Sequence, residues 1–179
     1  MKLPRGCYSL IVASIIGSQP VFAQLSDAER AKQVLQARQT WLSGLRTTLE
    51  HAEIFTLFSL EPEGDPRKKS KAEFKGYPQL GKTDVPAGSD RTNLIAVLYD
   101  GIANGNAIAE CFNPRHGIRA TQGSNTVELL ICFECGQVYT FSNRGTNEMY
   151  ATSDKPAVAF NAYLKRAKVA LPKDKTRKP

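Results

Sequence analysis

The spacing of apolar residues predicts three helices in this chain. Over residues 27–51 the apolar positions recur near the 3.6-residue period of a helix, and basic residues occupy the opposite side. Ser26 followed three residues later by Glu29 has the spacing of a capping box, which favours a helix start there. The other two helices are bounded by capping, glycine and proline signals, from Ser89 or Asp90 to Gly105 and from Ser153 or Asp154 to Pro172.

Runs of β-branched and aromatic residues between these helices predict strands. Residues 54–60 read IFTLFSL and are followed by Pro62 and Gly64, which predicts a strand that ends in a loop. Residues 74–78 are expected to enter a short edge strand before the loop resumes. Further short strands are predicted at residues 107–112, 118–121, 126–133, 137–142 and 149–152. The expected fold class is α+β: a mainly antiparallel sheet of about five strands packed against N-terminal, middle and C-terminal helices.

The first 23 residues have the pattern of a secretory signal peptide. A short basic start precedes an apolar run over residues 8–16, and Val21-Phe22-Ala23 has modest residues at the expected cleavage positions. The apolar run is far shorter than the roughly 20 residues that a transmembrane helix needs. We therefore predict an exported, periplasmic or secreted protein, with a single α+β domain over residues 24–170.

The chain is basic, and its excess charge lies mainly in two segments. Removing Lys2 and Arg5 with the signal peptide lowers the formal net charge from +7 to +5. Residues 67–71 and the tail, residues 171–179, are rich in lysine and arginine. Basic runs without interleaved aromatic residues are typical of solvated segments, so we expect a disordered tail and no nucleic-acid partner. Weak contact between the tail and an anionic lipid or cell-wall polymer is the partner interaction that this composition favours.

A cluster of cysteine and histidine residues is the candidate site. Its members lie within one stretch of the chain: Cys111, His116, Cys132 and Cys135. An oxidising compartment favours a disulfide, in which Cys111 would bond to Cys132 or to Cys135. Alternatively, Cys-x-x-Cys-Gly resembles a zinc knuckle, and the four residues would form a Cys₃His site with zinc as the metal. Buried reduced cysteines are a further interpretation.

Strand parity makes the interpretation depend on the backbone at Phe133-Glu134. If residues 127–135 form one unbroken strand, Cys132 and Cys135 point to opposite faces and cannot share a metal or a disulfide. A turn at Phe133-Glu134 would bring them together, and Gly136 favours such a turn. A thioredoxin-like redox motif would instead place the two cysteines at a helix start, whereas strands are predicted on both sides here.

The sequence Arg115-His116-Gly117-Ile118-Arg119 resembles the Arg-His-Gly-x-Arg signature of histidine phosphatases over a stretch of five residues. That family needs a second histidine downstream, and none follows His116 in this chain. The five-residue match is therefore treated as a coincidence. Arg115, His116 and Arg119 remain candidates for an anion-binding corner, and a small hydrolase using His116 with Arg115 remains a weak catalytic alternative.

The order of segments resembles a widespread group of bacterial exported proteins of unknown activity. The resemblance is carried by the blocks CFNPRH and CFEC and extends over most of residues 50–170. It implies one exported domain and no particular reaction. The sequence thus predicts a non-enzymatic binding or interaction domain organised around the cysteine and histidine cluster. A zinc-binding Cys₃His domain and a small hydrolase are the alternatives.

Overall fold

A computed structural model describes residues 45–62, 72–143 and 147–173, all within one compact unit that spans residues 39–179. The helices are residues 45–50 (α1), Ser89–Ala103 (α2) and Pro156–Arg166 (α3). The strands are Ile54–Leu60 (β1), Glu73–Phe74 (β2), Tyr77–Asp84 (β3), His116–Gln122 (β4), Asn125–Cys132 (β5), Gln137–Ser142 (β6) and Glu148–Ala151 (β7). None of the helices described is long and apolar enough to cross a membrane.

Several predictions fall outside the described ranges. These are the signal peptide at residues 1–23, the helix before residue 45, the basic run 67–71 and the tail from residue 174 onward. Within the ranges, Leu171 still packs partly against the core, just beyond the predicted end of the domain.

The α+β fold class is confirmed, but the expected number of about five strands is too low. The described residues form one seven-stranded sheet in the order β2-β3-β1-β4-β5-β6-β7, and neighbouring strands are antiparallel. The underestimate comes from β2 and β3. β3 alternates between half-buried and exposed residues and carries a proline, a glycine and charges, so its sequence resembles a loop. It is held as a strand by its pairing with β1, from Thr56–Asp84 to Leu60–Gln79.

The prediction of a strand at residues 107–112 is wrong. The chain between α2 and β4 contains no strand, and residues 106–111 are exposed. A short Ala-Ile-Ala run has weak strand propensity unless a neighbouring strand pairs with it. Here the backbone N–H of Ala109 donates to the carbonyl of Cys135, which lies in a turn and not in a ladder.

The two faces of the sheet are both covered, but by different groups. Strand alternation directs Leu57 and Leu129 toward the helices, where they pack with Leu98 and Phe160 in the main core. The opposite face carries a smaller aromatic cluster, which we define by its members: Phe58, Leu60, Phe74, Leu130, and the flanking Tyr77, Phe112, Tyr139 and Phe141.

The β2–β3 hairpin curls over that second face and closes it. Lys75 and Gly76 form its two-residue turn with φ values of 51° and 83°, the left-handed conformation that tight hairpin turns require. The ring of Phe74 stacks on Phe58 with centroids 4.2 Å apart. Phe74 also lies so close to Gly117 that a Cβ there would be 2.7 Å from its ring. Glycine at position 117 therefore allows the sheet to curl.

Candidate functional site

The chain turns between β5 and β6, at the position on which the sequence interpretation depended. Residues 133–136 form the turn, and the N–H of Gly136 donates to the carbonyl of Phe133 at 3.2 Å. Gly136 has a φ of 67°, and a Cβ there would collide with the carbonyl oxygen of Ala107. The glycine thus permits both the turn and the close approach of the loop that precedes β4.

Cys111 and Cys135 form a disulfide-compatible pair across this contact. Their Cα atoms are 5.8 Å apart, within the range that disulfides require, and they are separated by 24 positions in the sequence. The pair joins the loop after α2 to the β5–β6 turn. The structure therefore contains a pair that meets the geometric requirement of the disulfide hypothesis.

Hydrogen bonds from Gln137 fix the same loop, residues 104–115, which we call the stapled loop. The Gln137 side-chain nitrogen donates to the carbonyls of Ala109, at 2.5 Å, and of Cys111, at 2.8 Å. The N–H of Ala109 donates to the carbonyl of Cys135 at 3.0 Å. The loop backbone is held in place although its outer side chains are exposed, and Ile108 keeps 48% of its surface in solvent.

Cys132 is the free thiol of the group, and it is only 1% exposed. It lies two positions after Leu130 on β5, so its side chain is on the face of the aromatic cluster. Its sulfur accepts a hydrogen bond from the N–H of Cys135 at 3.1 Å, and the backbone N–H of Asn113 also favours the thiolate. Burial raises the pKa of the Cys132 thiol above its ordinary value, while these two donors oppose the shift.

His116 lies on the other face of the sheet, inside the main core. It is 3% exposed, its Nε2 is 2.9 Å from Oδ1 of Asn161, and its ring packs against Phe133 and Phe160. Burial lowers the pKa of His116 to about 4, because the apolar surroundings disfavour the charged ring. The histidine is therefore neutral at physiological pH, with Nε2–H donating to Asn161.

The structure does not bring the four predicted ligands together. His116 faces the helices, Cys132 faces the aromatic cluster, and Cys111 is paired with Cys135. In the part of the chain that the structure describes, no group of three or more His, Cys, Asp or Glu side chains is arranged to hold a metal ion. The geometry of a Cys₃His zinc site is not formed.

The two candidate anion-binding arginines also lie apart, each beside a carboxylate. Arg115 contacts Glu134 at 3.2 Å, and Arg119 contacts Glu128 at 2.7 Å. Arg119 also lies over the rings of the aromatic cluster, 5.4 Å from the Phe74 centroid. Arg115 reaches the β5–β6 turn while the adjacent His116 enters the core, so the structure does not place them side by side as an acid–base pair.

Sequence reasoning missed the side chains that position these groups. Gln137 and Asn161 are polar residues at ordinary strand and helix positions, and no motif marks them. Arg91 was missed as well: it is buried, and its guanidinium donates to the carbonyls of Ala52 and Val85. It ties α2 to the ends of β1 and β3 and lines a pocket of about 490 Å³ between α1 and α2.

Comparisons of the chain with protein-family models, with curated proteins and with solved structures find no match. The candidate site is therefore defined by its own geometry. It consists of the stapled loop, the β5–β6 turn that holds it, and the buried thiol of Cys132 beneath both.

Proposed function

We propose that this chain is an exported interaction domain that binds another protein through the stapled loop. The observation that carries the proposal is an exposed loop whose backbone is fixed from below by a disulfide pair, by Gln137 and by a backbone hydrogen bond. Binding is the function to which such an arrangement is best suited, since rigid scaffolds commonly present recognition residues on loops.

The rigid backbone supports binding for an energetic reason. A flexible loop loses conformational freedom when it binds, and that loss weakens the complex. In the stapled loop, the carbonyls of Ala109 and Cys111 are already engaged, and Cys111 is paired with Cys135. Most of the ordering has therefore occurred during folding, so that the contacts of the exposed side chains contribute more directly to affinity.

Ile108 is the proposed anchor of the interaction. It lies between Ala107 and Ala109, whose small side chains leave it projecting, and polar Asn106 and Glu110 flank the three. An apolar anchor with a polar rim is the usual composition of a binding epitope. The partner fitted to it is a protein with a concave apolar pocket of side-chain size.

Export supports the same proposal. The signal-like segment at residues 1–23 would direct the chain to an oxidising compartment, where a bridge between Cys111 and Cys135 is stable. The loop would then be presented to other exported proteins or to the cell surface.

A site-specific photocrosslinking experiment tests the proposal. A benzoyl-phenylalanine is placed at position 108 in the full chain, produced in its native host, and a matched control carries it at Val158, which is 76% exposed on α3. We expect an adduct of defined mass from position 108 and none from position 158. Excess purified wild-type protein should suppress the adduct, and an excess of the Ile108→Asp variant should not. Equal adducts from both positions, or suppression by both competitors, would overturn the proposal.

A further inference from the structure

The sulfur of Cys132 lies against both segments that the Cys111–Cys135 pair joins. On one side it accepts a hydrogen bond from the N–H of Cys135, at 3.1 Å. On the other side the backbone of Asn113, which lies two positions after Cys111 in the stapled loop, is near enough to favour the Cys132 thiolate. The sulfur of Cys132 is therefore held next to the disulfide pair, where the stapled loop meets the β5–β6 turn.

We infer that Cys132 exchanges with this disulfide and moves the bond from Cys111–Cys135 to Cys132–Cys135. The Cys132 thiol loses its proton to solvent, and its thiolate attacks Sγ of Cys135. The Cys132–Cys135 bond forms as the Cys111–Cys135 bond breaks, and Cys111 leaves as a thiolate that takes up a proton. The number of disulfides is unchanged, so the step needs no oxidant or reductant.

Attack on Cys135 is favoured over attack on Cys111 by the turn. Cys132 and Cys135 flank Phe133-Glu134, and the hydrogen bond from the Cys135 N–H places the Cys132 sulfur against the residue it attacks. A turn brings residues three positions apart within about 7 Å between Cα atoms, which overlaps the range that disulfides span. Cys111 is also the exposed member of the pair, so the thiolate that leaves is released toward water.

The charged and titratable groups around Cys132 set the pH dependence of the exchange. Glu134 disfavours the thiolate, Arg115 favours it, and Tyr77 lies on the same face. Burial dominates and raises the pKa of the thiol. The thiolate is therefore scarce at neutral pH. As long as the pH is below that pKa, the thiolate concentration increases about tenfold for each unit by which the pH rises. We expect slow exchange at neutral pH and faster exchange in alkaline solution.

The exchange would regulate the proposed binding surface, and this consequence alone rests on the proposed function. When Cys111 is released, the stapled loop keeps its hydrogen bonds to Gln137 but loses its covalent link to the turn. The loop would then bind a partner less tightly, because more of its ordering would occur on binding.

Disulfide mapping tests the inference directly. The full chain carrying Cys7→Ser, which leaves three cysteines, is oxidised and incubated at pH 7, 8 and 9 without reductant. Samples are quenched with acid, denatured and alkylated with N-ethylmaleimide, and the alkylated cysteine is identified by peptide mass spectrometry. We expect label on Cys132 at first, and then increasing label on Cys111 at a rate that rises with pH by up to about tenfold per unit.

Two variants make the outcome decisive. Cys132→Ser should show no free thiol and no change with time, whereas Cys111→Ser should form the Cys132–Cys135 disulfide when incubated with oxidised glutathione. Label that stays on Cys132 at every pH, together with two free thiols in Cys111→Ser, would overturn the inference. Crosslinking from position 108 is measured separately on protein that keeps the Cys111–Cys135 bond, so that absence of the adduct there, together with successful exchange, would count against the proposed function only.

Discussion

At the scale of single residues, the described structure assigns different roles to side chains that are neighbours in the sequence. His116 is enclosed by aromatic rings of the main core and is hydrogen-bonded to Asn161. Arg119, the next candidate site residue along β4, lies over the aromatic cluster on the opposite face of the sheet. His116 is a neutral polar residue within the core, and this environment makes the stability of the fold depend on pH.

Protonation of His116 should destabilise the protein in mild acid. Burial lowers its pKa from 6.5 to about 4, so between these values the unfolded chain binds a proton that the folded chain does not. The free energy of unfolding should therefore decrease by about 2–3 kcal/mol as the pH falls from about 6.5 to about 4. Urea denaturation of wild type and His116→Phe across this range measures the difference. The control His51→Gln, which changes an exposed histidine, should follow wild type, and an equal pH dependence in His116→Phe would contradict the assignment.

Two glycines with similar backbone conformations should tolerate alanine differently. Gly123 and Gly136 have φ values of 55° and 67°, so an alanine costs about 1–2 kcal/mol at either position. At Gly123 nothing lies within 4 Å of the added Cβ, whereas at Gly136 it meets the backbone of Ala107. We expect Gly136→Ala to lower the free energy of unfolding by at least about 1 kcal/mol more than Gly123→Ala does. Equal losses in thermal or chemical denaturation would show that the loop yields freely at this contact.

At the scale of elements, the stapled loop acquires its conformation from the β5–β6 turn. The side chain of Gln137 at the start of β6 donates hydrogen bonds to two carbonyls of the loop, and Cys135 pairs with Cys111 within it. The backbone groups of this irregular segment thereby obtain the hydrogen-bond partners that a neighbouring strand would otherwise supply.

Reduction of the disulfide should weaken the fold measurably. A bridge that closes a loop of 24 residues stabilises by about 3 kcal/mol, largely by restricting the unfolded chain. The free energy of unfolding should therefore fall by about that amount when dithiothreitol is added. The variant that combines Cys7→Ser with Cys111→Ala and Cys132→Ala serves as a control, because only Cys135 remains and its stability should be the same with and without reductant. A wild-type protein that is insensitive to the reductant would exclude the bridge.

Prediction succeeded for elements with a strong local signal. Strands β1 and β6 occur at the predicted residues, Ile54–Leu60 and Gln137–Ser142, because alternating β-favouring residues end at clear turn signals. It failed for β3 and for residues 107–112. In both cases the deciding factor is whether a neighbouring strand supplies the backbone hydrogen bonds, which the local pattern does not encode.

At the scale of the whole molecule, a curled sheet separates two environments. Helices cover one face, the β2–β3 hairpin covers the other, and each environment contains one member of the predicted cluster, His116 or Cys132. The residues that would form a Cys₃His site are therefore divided by the sheet itself.

The oxidised protein should accordingly contain one thiol and no stoichiometric metal. Purified full chain carrying Cys7→Ser, analysed for zinc and then denatured for thiol counting, should yield a single reactive thiol. The Cys132→Ser variant should yield none. One equivalent of zinc accompanied by three thiols would contradict the disulfide and would favour metal ligation by the cysteines.

The sequence alone determined the fold class and most strands. It also showed that Cys132 and Cys135 can lie on the same side only if the backbone turns at Phe133-Glu134. These follow from local periodicity and turn chemistry, which act over a few residues. Only the tertiary structure decided that the chain turns at Phe133-Glu134, that Cys135 pairs with Cys111, and that His116 and Cys132 lie on opposite faces. The physical reason is that these outcomes depend on how the stapled loop packs on the β5–β6 turn. Gly136 leaves space for the loop backbone and Gln137 donates hydrogen bonds to it, and both are contacts between residues far apart in the sequence.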